Sequence, residues 1–474
     1  METVPSQLNA KMSIPNTGTA TSQIDGRMII ARMERLPVSK FHKKMLVING
    51  IAWAFDSFDI ALVTFVLAAL KTGWNLTPTQ SGILLSVGLF GMFFGSLIAG
   101  YAADKWGRKF VFQWTMLIFS LSSLACALAP SFGLLLFFRF LVGVGLGGES
   151  PVVPALLGEF APSLHRGKLQ GLINVFWGAG WATAAALSFF VIPSLGWRAA
   201  FVFGALPAFF IFIVRRHLPE SPRWLISQGR IQEADAIVTK LEQEIIKEHG
   251  KELPAVDKDV VENVVLKDAT KKVRVSTLFT GKYRKSTIIL WSTWFLIMFA
   301  YYGLFSWLPT VFVEAGHTMQ KSFLYVLIMQ IAYMPNEVVA SFMMDKVGRK
   351  KTIVPNLCLA ALCALAYGYA LSHDATMGVI LAIGIVTSLA VSASICVMYT
   401  YTPELYPTDV RITAAGTATA VSRVGSMIGP MIIGFFLASI GFMGVFGILA
   451  GAFIISALIF ILFAVETKGK VLEN

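Results

Sequence analysis

Four acidic and two basic side chains lie inside long apolar stretches of the sequence. A charge in such a stretch is costly unless it has a partner, so these residues are expected to have a function. Burial favours the neutral form of a carboxyl group, and one or two of the acids are therefore predicted to carry a proton. The acids are Asp56, Asp59, Glu149 and Glu337, and the bases are Arg139 and Arg423.

Asp56 and Asp59 stand at positions i and i+3, which share one face of a helix. Arg139 is predicted to pair with one of them, either as a fixed structural pair or as a partner whose pairing changes with protonation. Asp56 is the preferred proton carrier, because it lies nearer Gly50 and is expected to face a cavity between two halves of the chain. Glu149 follows a glycine-rich run, where it either joins this charge network or fixes helix packing.

Aromatic and amide side chains form a second set of candidate residues. They recur at helical spacing in several apolar stretches, which predicts a small ring-lined pocket suited to a small flat ligand. Such stripes are more often part of a core, so the prediction rests on several stretches converging with polar groups. The candidate binding residues are Asn174, Phe176, Trp177, Trp181, Trp294, Tyr301, Tyr302, Gln330 and Tyr399.

The composition predicts a membrane protein that positions these residues on helices. The chain has 474 residues, of which 56% are hydrophobic and 14% charged, whereas soluble proteins carry about 25% charged residues. Apolar runs of about 20 residues are the length of a membrane-spanning helix. Twelve are predicted, at 46–70, 80–103, 110–129, 132–156, 169–192, 199–215, 286–314, 321–344, 352–371, 377–401, 412–438 and 441–465.

The spacing of the runs divides the chain into two groups of six. The predicted parts are a disordered cytoplasmic tail (1–44), a first six-helix half (45–215), a cytoplasmic helical linker (216–285), a second half (286–466) and a short tail (467–474). All but five of the 39 lysines and arginines fall on the side of the termini and linker. Basic residues favour the cytoplasmic side, so both termini are predicted to be cytoplasmic. This topology explains the net charge of +12 better than nucleic-acid binding does.

Two charged patterns occur once in each half. The sequence D-K-x-G-R-K places Asp104 and Arg108 in the first half, and it recurs in the second half with Asp345 and Arg349. The pattern E-x-x-P-x-x-x-R contributes Glu159 with Arg166, and then Glu404 with Arg411. Duplication of this kind indicates parallel repeats of a six-helix unit, an architecture of transporters. These eight residues are predicted to gate the cytoplasmic side by pairing across the halves when that side is closed, although they could serve only as topology anchors.

These motifs resemble those of the major facilitator superfamily. Gly100, Asp104, Gly107, Arg108 and Lys109 match its loop motif, and "PESPR" at 219–223 and "ETKGK" at 466–470 resemble signatures of its sugar porters. The resemblance implies an all-α integral membrane protein of twelve helices in two halves, working by alternating access. Sugars need many hydrogen-bonding partners when buried, yet the seventh run, "LWSTWFLIMFAYYGLFSWLP", contains no Gln or Asn.

A closer resemblance is to the nicotinate transporter group, which is related to the synaptic vesicle glycoproteins. It is carried by "FDSFDIALVTFVLAAL", "GVGLGGESPV", "FWGAGW", "AYYGLFSWLP" and "YTYTPELYPTDVR". The group often has a tryptophan where this chain has Ile395, so the wall contributed by the tenth run is expected to differ. The resemblance implies uptake of nicotinate, with nicotinamide as a second candidate, across a bacterial inner membrane. Proton coupling is expected from the acids inside the apolar stretches, and the protein is expected to act as a monomer. No cofactor is implied.

Two other classes of function remain open. One is a transporter of another small aromatic acid or of an organic cation, and competition of uptake by nicotinate, benzoate and choline would separate these substrates. The other is a receptor that kept the fold without transporting. An enzyme is not expected, because the sequence has no phosphate-binding glycine loop with lysine and no metal-ligand spacing.

Overall fold

The computed structural model describes residues 17–256, 261, 275–281, 283–314, 316–373, 375–406 and 408–468. Residues 1–16 of the predicted tail, most of residues 257–274 of the linker and residues 469–474 lie outside this part of the chain. The described elements are α-helices and one short 3-10 helix, Val275–Phe279.

Eleven helical segments are long and apolar enough to cross a membrane. The last of them, Thr413–Phe463, has 51 residues, or about 76 Å at the rise of an α-helix, which exceeds twice the thickness of a bilayer core. Gly441 interrupts it with a φ of 65°, so it makes two crossings. The described chain therefore crosses twelve times, as the apolar runs predicted.

The first half contains seven helices, because its sixth crossing is split in two before Pro207. The second half contains five, because its last two crossings are one kinked helix. The first-half helices are α2 (Lys40–Trp74), α3 (Pro78–Trp106), α4 (Arg108–Leu128), α5 (Phe132–Phe160), α6 (Ser163–Leu195), α7 (Trp197–Gly204) and α8 (Pro207–His217). The second-half helices are α11 (Tyr283–Glu314), α12 (Met319–Val347), α13 (Arg349–Ser372), α14 (Met377–Glu404) and α15 (Thr408–Phe463).

Three further helices lie outside the crossings, at one end of the bundle. They are α1 (Thr17–Glu34), α9 (Pro222–Ser227) and α10 (Ile231–His249). We call this end, which also carries both copies of D-K-x-G-R-K, the charged end. The predicted disorder of residues 1–44 is wrong for α1, because Arg32 donates hydrogen bonds to Asp235, Thr239 and Glu242 of α10.

The charged end shows why the repeated motif contains glycine. Gly107 and Gly348 precede α4 and α13 with φ angles of 98° and 112°, a region that glycine adopts without strain. The Glu220 carboxylate accepts from the backbone N–H of Arg108 at 3.0 Å. The Glu466 carboxylate accepts from that of Arg349 at 2.9 Å. A carboxylate at a helix N-terminus satisfies free N–H groups and the helix dipole, so the acids of "PESPR" and "ETKGK" cap equivalent helices.

The two halves meet at the end opposite to the charged end. Lys71 of α2 forms an ion pair with Glu314 of α11, and the rings of Phe65 and Phe323 lie 5.2 Å apart in edge-to-face contact. The backbones of α3 and α15 also touch there, since a Cβ added to Gly82 would collide with α15. This end of the bundle is therefore closed.

The repeated charges at the charged end pair inside their own halves. Arg108 contacts Asp104 at 3.1 Å and Glu159 at 3.3 Å. Arg349 contacts Asp345 at 3.2 Å and Glu404 at 2.7 Å. Within the described ranges, no ion pair joins these clusters across the two halves. The expected pairing across the halves is thus not made in this conformation, in which the opposite end is the closed one.

The remaining two predicted gating residues also stay within their halves. Arg166 donates to Glu34 of α1 at 2.9 Å, and Arg223 donates to the same carboxylate at 2.7 Å. Arg411 donates to the Tyr406 carbonyl at 3.1 Å. Glu34 therefore ties α1 both to the start of α6 and to the "PESPR" segment.

Candidate functional site

A small pocket lies between the two halves, near the middle of the bundle. Arg139 of α5 and Tyr302 of α11 both line it, which brings one predicted charged residue and one predicted ring residue together. Its wall is completed by Ile60, Val63, Thr64, Leu85, Gly88, Leu89, Met92, Leu146 and Ser306. The predicted acids Asp56 and Glu149 lie within about one helical turn of Ile60 and Leu146, on the side towards the charged end.

Arg139 pairs with Asp59, which settles a choice that the sequence left open. Arg139 Nη1 donates to Asp59 Oδ2 at 2.7 Å, and the two side chains are 3% and 1% exposed. Ser123 donates to the other Asp59 oxygen at 3.3 Å. The guanidinium also lies over the Phe201 ring, 5.6 Å from its centre. The charges of Arg139 and Asp59 therefore balance each other within the first half.

Asp56 and Glu149 are buried without hydrogen bonds. Asp56 is 1% exposed and Glu149 is fully buried, and none of their four carboxylate oxygens has a hydrogen-bonding partner in the described structure. The two acids lie within electrostatic reach of each other. Asp56 also interacts electrostatically with Arg423 of α15, so it lies near the boundary between the halves. It was expected to face a cavity there, but its side chain is buried. Two ionised carboxylates in this setting would be strongly unfavourable, which favours protonation of at least one.

Arg423 is the second-half counterpart in this charge network. Its guanidinium is half-buried and donates a long hydrogen bond of 3.4 Å to Ser150 of α5, the residue next to Glu149. It also lies beside the Tyr302 hydroxyl. Arg423 therefore joins the acids of one half to the rings of the other. From the sequence, Arg423 was predicted only as a basic residue that balances the acids. Its position inside an apolar stretch was the feature that could have indicated a role in the site.

The predicted ring residues of α11 make two sets of ring contacts. Tyr301 contacts Tyr302 edge-to-face at 5.1 Å and Phe305 at 5.0 Å. Trp294 contacts Tyr399 of α14 at 4.9 Å and donates its indole N–H to Thr402 at 2.9 Å. Tyr399 is 51% exposed, whereas the α11 rings are buried. Most of these rings therefore pack in the core. Tyr302 lines the pocket, and Tyr399 is exposed.

Polar side chains of α12 form the part of the candidate site that the second half contributes next to the α11 rings. Glu337 lies beside the Tyr333 hydroxyl and within reach of Tyr301 and Tyr399. Gln330 is 1% exposed, and its amide nitrogen lacks a partner among the described atoms. Tyr333 shares this face with Gln330 and Glu337, as the helical spacing of the three residues predicts.

The predicted residues of α6 divide into two environments. Asn174, Phe176 and Trp177 are half-buried. Phe176 packs on Gly50, and the Trp177 ring lies 5.4 Å from that of Trp53. Trp181 is 1% exposed, so it lies in the core, and its indole N–H has no partner among the described atoms.

The chain matches the family described as sugar (and other) transporters over residues 40–474. It is 38% identical over 449 residues to the niacin transporter NiaP of Acinetobacter baylyi, covering 94% of this chain and 99% of that protein. It is 28% identical to the 4-hydroxybenzoate transporter PcaK of the same species, covering 89% and 90%.

A solved structure supports the fold. The xylose transporter XylE from E. coli, in a partially occluded inward open conformation, superposes with a TM-score of 0.71 at 18% identity. The match covers 90% of this chain and all of that one. From the twelve crossings, the repeated motifs and the family match, this chain belongs to the sugar (and other) transporter family of the major facilitator superfamily and is a membrane transporter rather than an enzyme.

Proposed function

We propose that this transporter takes up nicotinate across a bacterial inner membrane, together with protons and by alternating access. The observation that carries the proposal is the juxtaposition of Asp56 and Glu149, buried without hydrogen bonds, with the small pocket between the halves that Tyr302 and Arg139 line. The relative named as a niacin transporter supports the choice of substrate. The charged end faces the cytoplasm in this proposal, and the protein acts as a monomer.

The charges at the centre explain why protons would accompany the substrate. Nicotinate is an anion at neutral pH, and four acids with two arginines leave the centre net negative when all are ionised. Protonation of Asp56 removes one of these charges near the place where the anion must pass. One proton and one nicotinate would then move together without net charge.

The conformation fits one step of such a cycle. The end closed by Lys71 and Glu314 would be periplasmic, and the charged end would be open. Closing the charged end requires the clusters around Arg108 and Arg349 to approach each other. The eight repeated charges would bias that step, since contacts made in only one state shift the equilibrium between states.

Uptake into proteoliposomes tests the proposal. Labelled nicotinate should accumulate, and excess unlabelled nicotinate should compete strongly. Nicotinamide, benzoate and choline serve as competitors that differ in charge and ring chemistry. Stronger competition by choline, or no saturable uptake of nicotinate, would overturn the proposed substrate.

A second candidate substrate is another small aromatic acid. The similarity to the 4-hydroxybenzoate transporter favours it, and the Tyr302 ring at the pocket would also pack against a benzene ring. Stronger competition by benzoate or 4-hydroxybenzoate than by unlabelled nicotinate would identify this class instead.

A further inference from the structure

We infer that Arg423 binds the carboxylate of the substrate, and that it thereby selects an aromatic acid over the corresponding amide. The inference rests on the proposed function, because it concerns the same central site. Its distinguishing claim is that the anion-binding group comes from α15, in the second half, and not from Arg139.

Arg139 is unsuited to the task. Its charge is balanced by Asp59 at 2.7 Å, and both side chains are almost fully buried. An incoming carboxylate would have to displace Asp59 and leave a buried charge unpaired, which is strongly unfavourable. Arg139 lines the pocket and its Nε has no hydrogen-bonding partner in the described structure, but its positive charge is already balanced by Asp59.

Arg423 has the opposite properties. It is half-buried, and no carboxylate of the described chain lies within ion-pair distance of it. It donates a hydrogen bond to the Ser150 hydroxyl at 3.4 Å, and Tyr302 lies beside it. Asp56 acts on it only from a longer range. A half-buried guanidinium without a carboxylate at ion-pair distance in the described chain has donors left for an anion.

The surroundings of Arg423 match the rest of the ligand. Tyr302 and Tyr399 both lie within its electrostatic reach, and the Tyr399 ring contacts Trp294 at 4.9 Å. A flat heteroaromatic ring placed against these side chains would direct its carboxylate towards the guanidinium. Arginine binds carboxylates through two parallel N–H···O bonds. A primary amide offers only one acceptor and no charge, so it gains much less.

Equilibrium binding of nicotinate and nicotinamide to the purified full-length transporter tests the inference. The variants are Arg423→Gln and Arg423→Lys, and Arg284→Gln is the matched control, because it removes an arginine from an exposed position of the same half. Thermal unfolding without ligand checks that each variant is folded.

We expect Arg423→Gln to weaken nicotinate binding about 10- to 100-fold, the range for a lost charged hydrogen-bonding partner. Nicotinamide binding should change less than about 3-fold, so the ratio of the two dissociation constants moves towards one. Arg423→Lys keeps the charge without the planar fork and should give an intermediate ratio. If Arg423→Gln does not fold, this lysine variant carries the test.

An unchanged ratio in a folded Arg423 variant would overturn the inference, and so would an equal loss of both ligands. Arg284→Gln should leave both affinities as in the parent protein. Failure of the parent protein to bind either ligand would instead count against the proposed substrate, so the two claims are separated by the same experiment.

Discussion

Arg139 and Asp59 form a buried ion pair of 2.7 Å that links α5 to α2 inside the first half. Asp56, three residues earlier on α2, has no hydrogen-bonding partner in the described structure. The two aspartates share a helix face, yet of the two only Asp59 forms an ion pair in the described structure.

The first prediction concerns the buried pair. Asp59→Leu and Arg139→Met should each lower stability by about 3–5 kcal/mol, because each leaves a charge without its partner. The double variant should recover much of this loss, since neither charge remains. Thermal unfolding in detergent measures the effect. A double variant whose loss equals the sum of both single losses would argue that the two residues do not act as a pair.

The second prediction concerns the rings. Tyr302→Ala and Trp177→Ala should weaken nicotinate binding by about 1–3 kcal/mol if each ring packs on the ligand. Tyr302→Phe should keep most of the affinity, because it removes only the hydroxyl beside Arg423. Dissociation constants for nicotinate, measured on the three variants and the parent protein, test this prediction. Affinities like the parent's in both folded alanine variants would place the ligand elsewhere.

The third prediction concerns the charged end. Asp104→Asn and Arg108→Ala should slow transport while substrate binding remains measurable, because the cluster that they form with Glu159 is remote from the pocket. Lys105→Ala is the matched control, with an exposed side chain in the same motif. Rates of uptake and dissociation constants are compared for each variant. Parallel loss of binding and uptake would speak against a role in gating.

The fourth prediction concerns the docking of α1. Burial alone would raise the pKa of Glu242, but hydrogen bonds and charges of Arg32 and Arg35 outweigh it and hold the pKa below its usual range. A lowered pKa stabilises docking above the ordinary pKa of a glutamate, and the contribution is lost as the pH falls through the lower value. The protection factors of the backbone amides of residues 26–36, which correct for the intrinsic pH dependence of exchange, should therefore stay high at neutral pH and fall under strong acid.

Glu242→Gln offers a direct check of this linkage. It should quicken exchange of residues 26–36 at neutral pH, and the acid dependence should shrink. Glu248→Gln is the control, since its carboxylate accepts from the Lys40 backbone outside the arginine cluster. Exchange in Glu242→Gln that matches the parent protein at neutral pH would show that these arginines do not hold α1.

The apolar runs and the duplicated motifs predicted the fold well, because neither depends on which residues are in contact in the folded protein. The apolar runs gave the twelve crossings, and the second copy of D-K-x-G-R-K indicated two related halves. The capping roles of Glu220 and Glu466 were not predicted, since each acid lies far along the chain from the helix that it caps.

The centre was harder to predict, because helical spacing leaves more than one partner for each charge. Asp56 and Asp59 were equally placed for Arg139, and only the packing of α2 on α5 distinguishes them. The position of Arg423 depends on how the two halves meet, which no local pattern encodes. Trp181 satisfied the spacing of a pocket residue but lies in the core, because an aromatic stripe marks a buried face whether or not a ligand binds there.

Accumulation of labelled nicotinate under an imposed pH gradient tests the central claim, proton-coupled uptake with Asp56 as the carrier. In proteoliposomes buffered inside at about pH 7.5, the parent protein should accumulate more nicotinate as the outside is lowered to about pH 6, where more carboxyl groups are protonated. Asp56→Asn should lose this accumulation while still exchanging internal for external nicotinate. Uptake by the parent protein that ignores the gradient would contradict proton coupling, and gradient-driven accumulation by Asp56→Asn would contradict the assignment of Asp56.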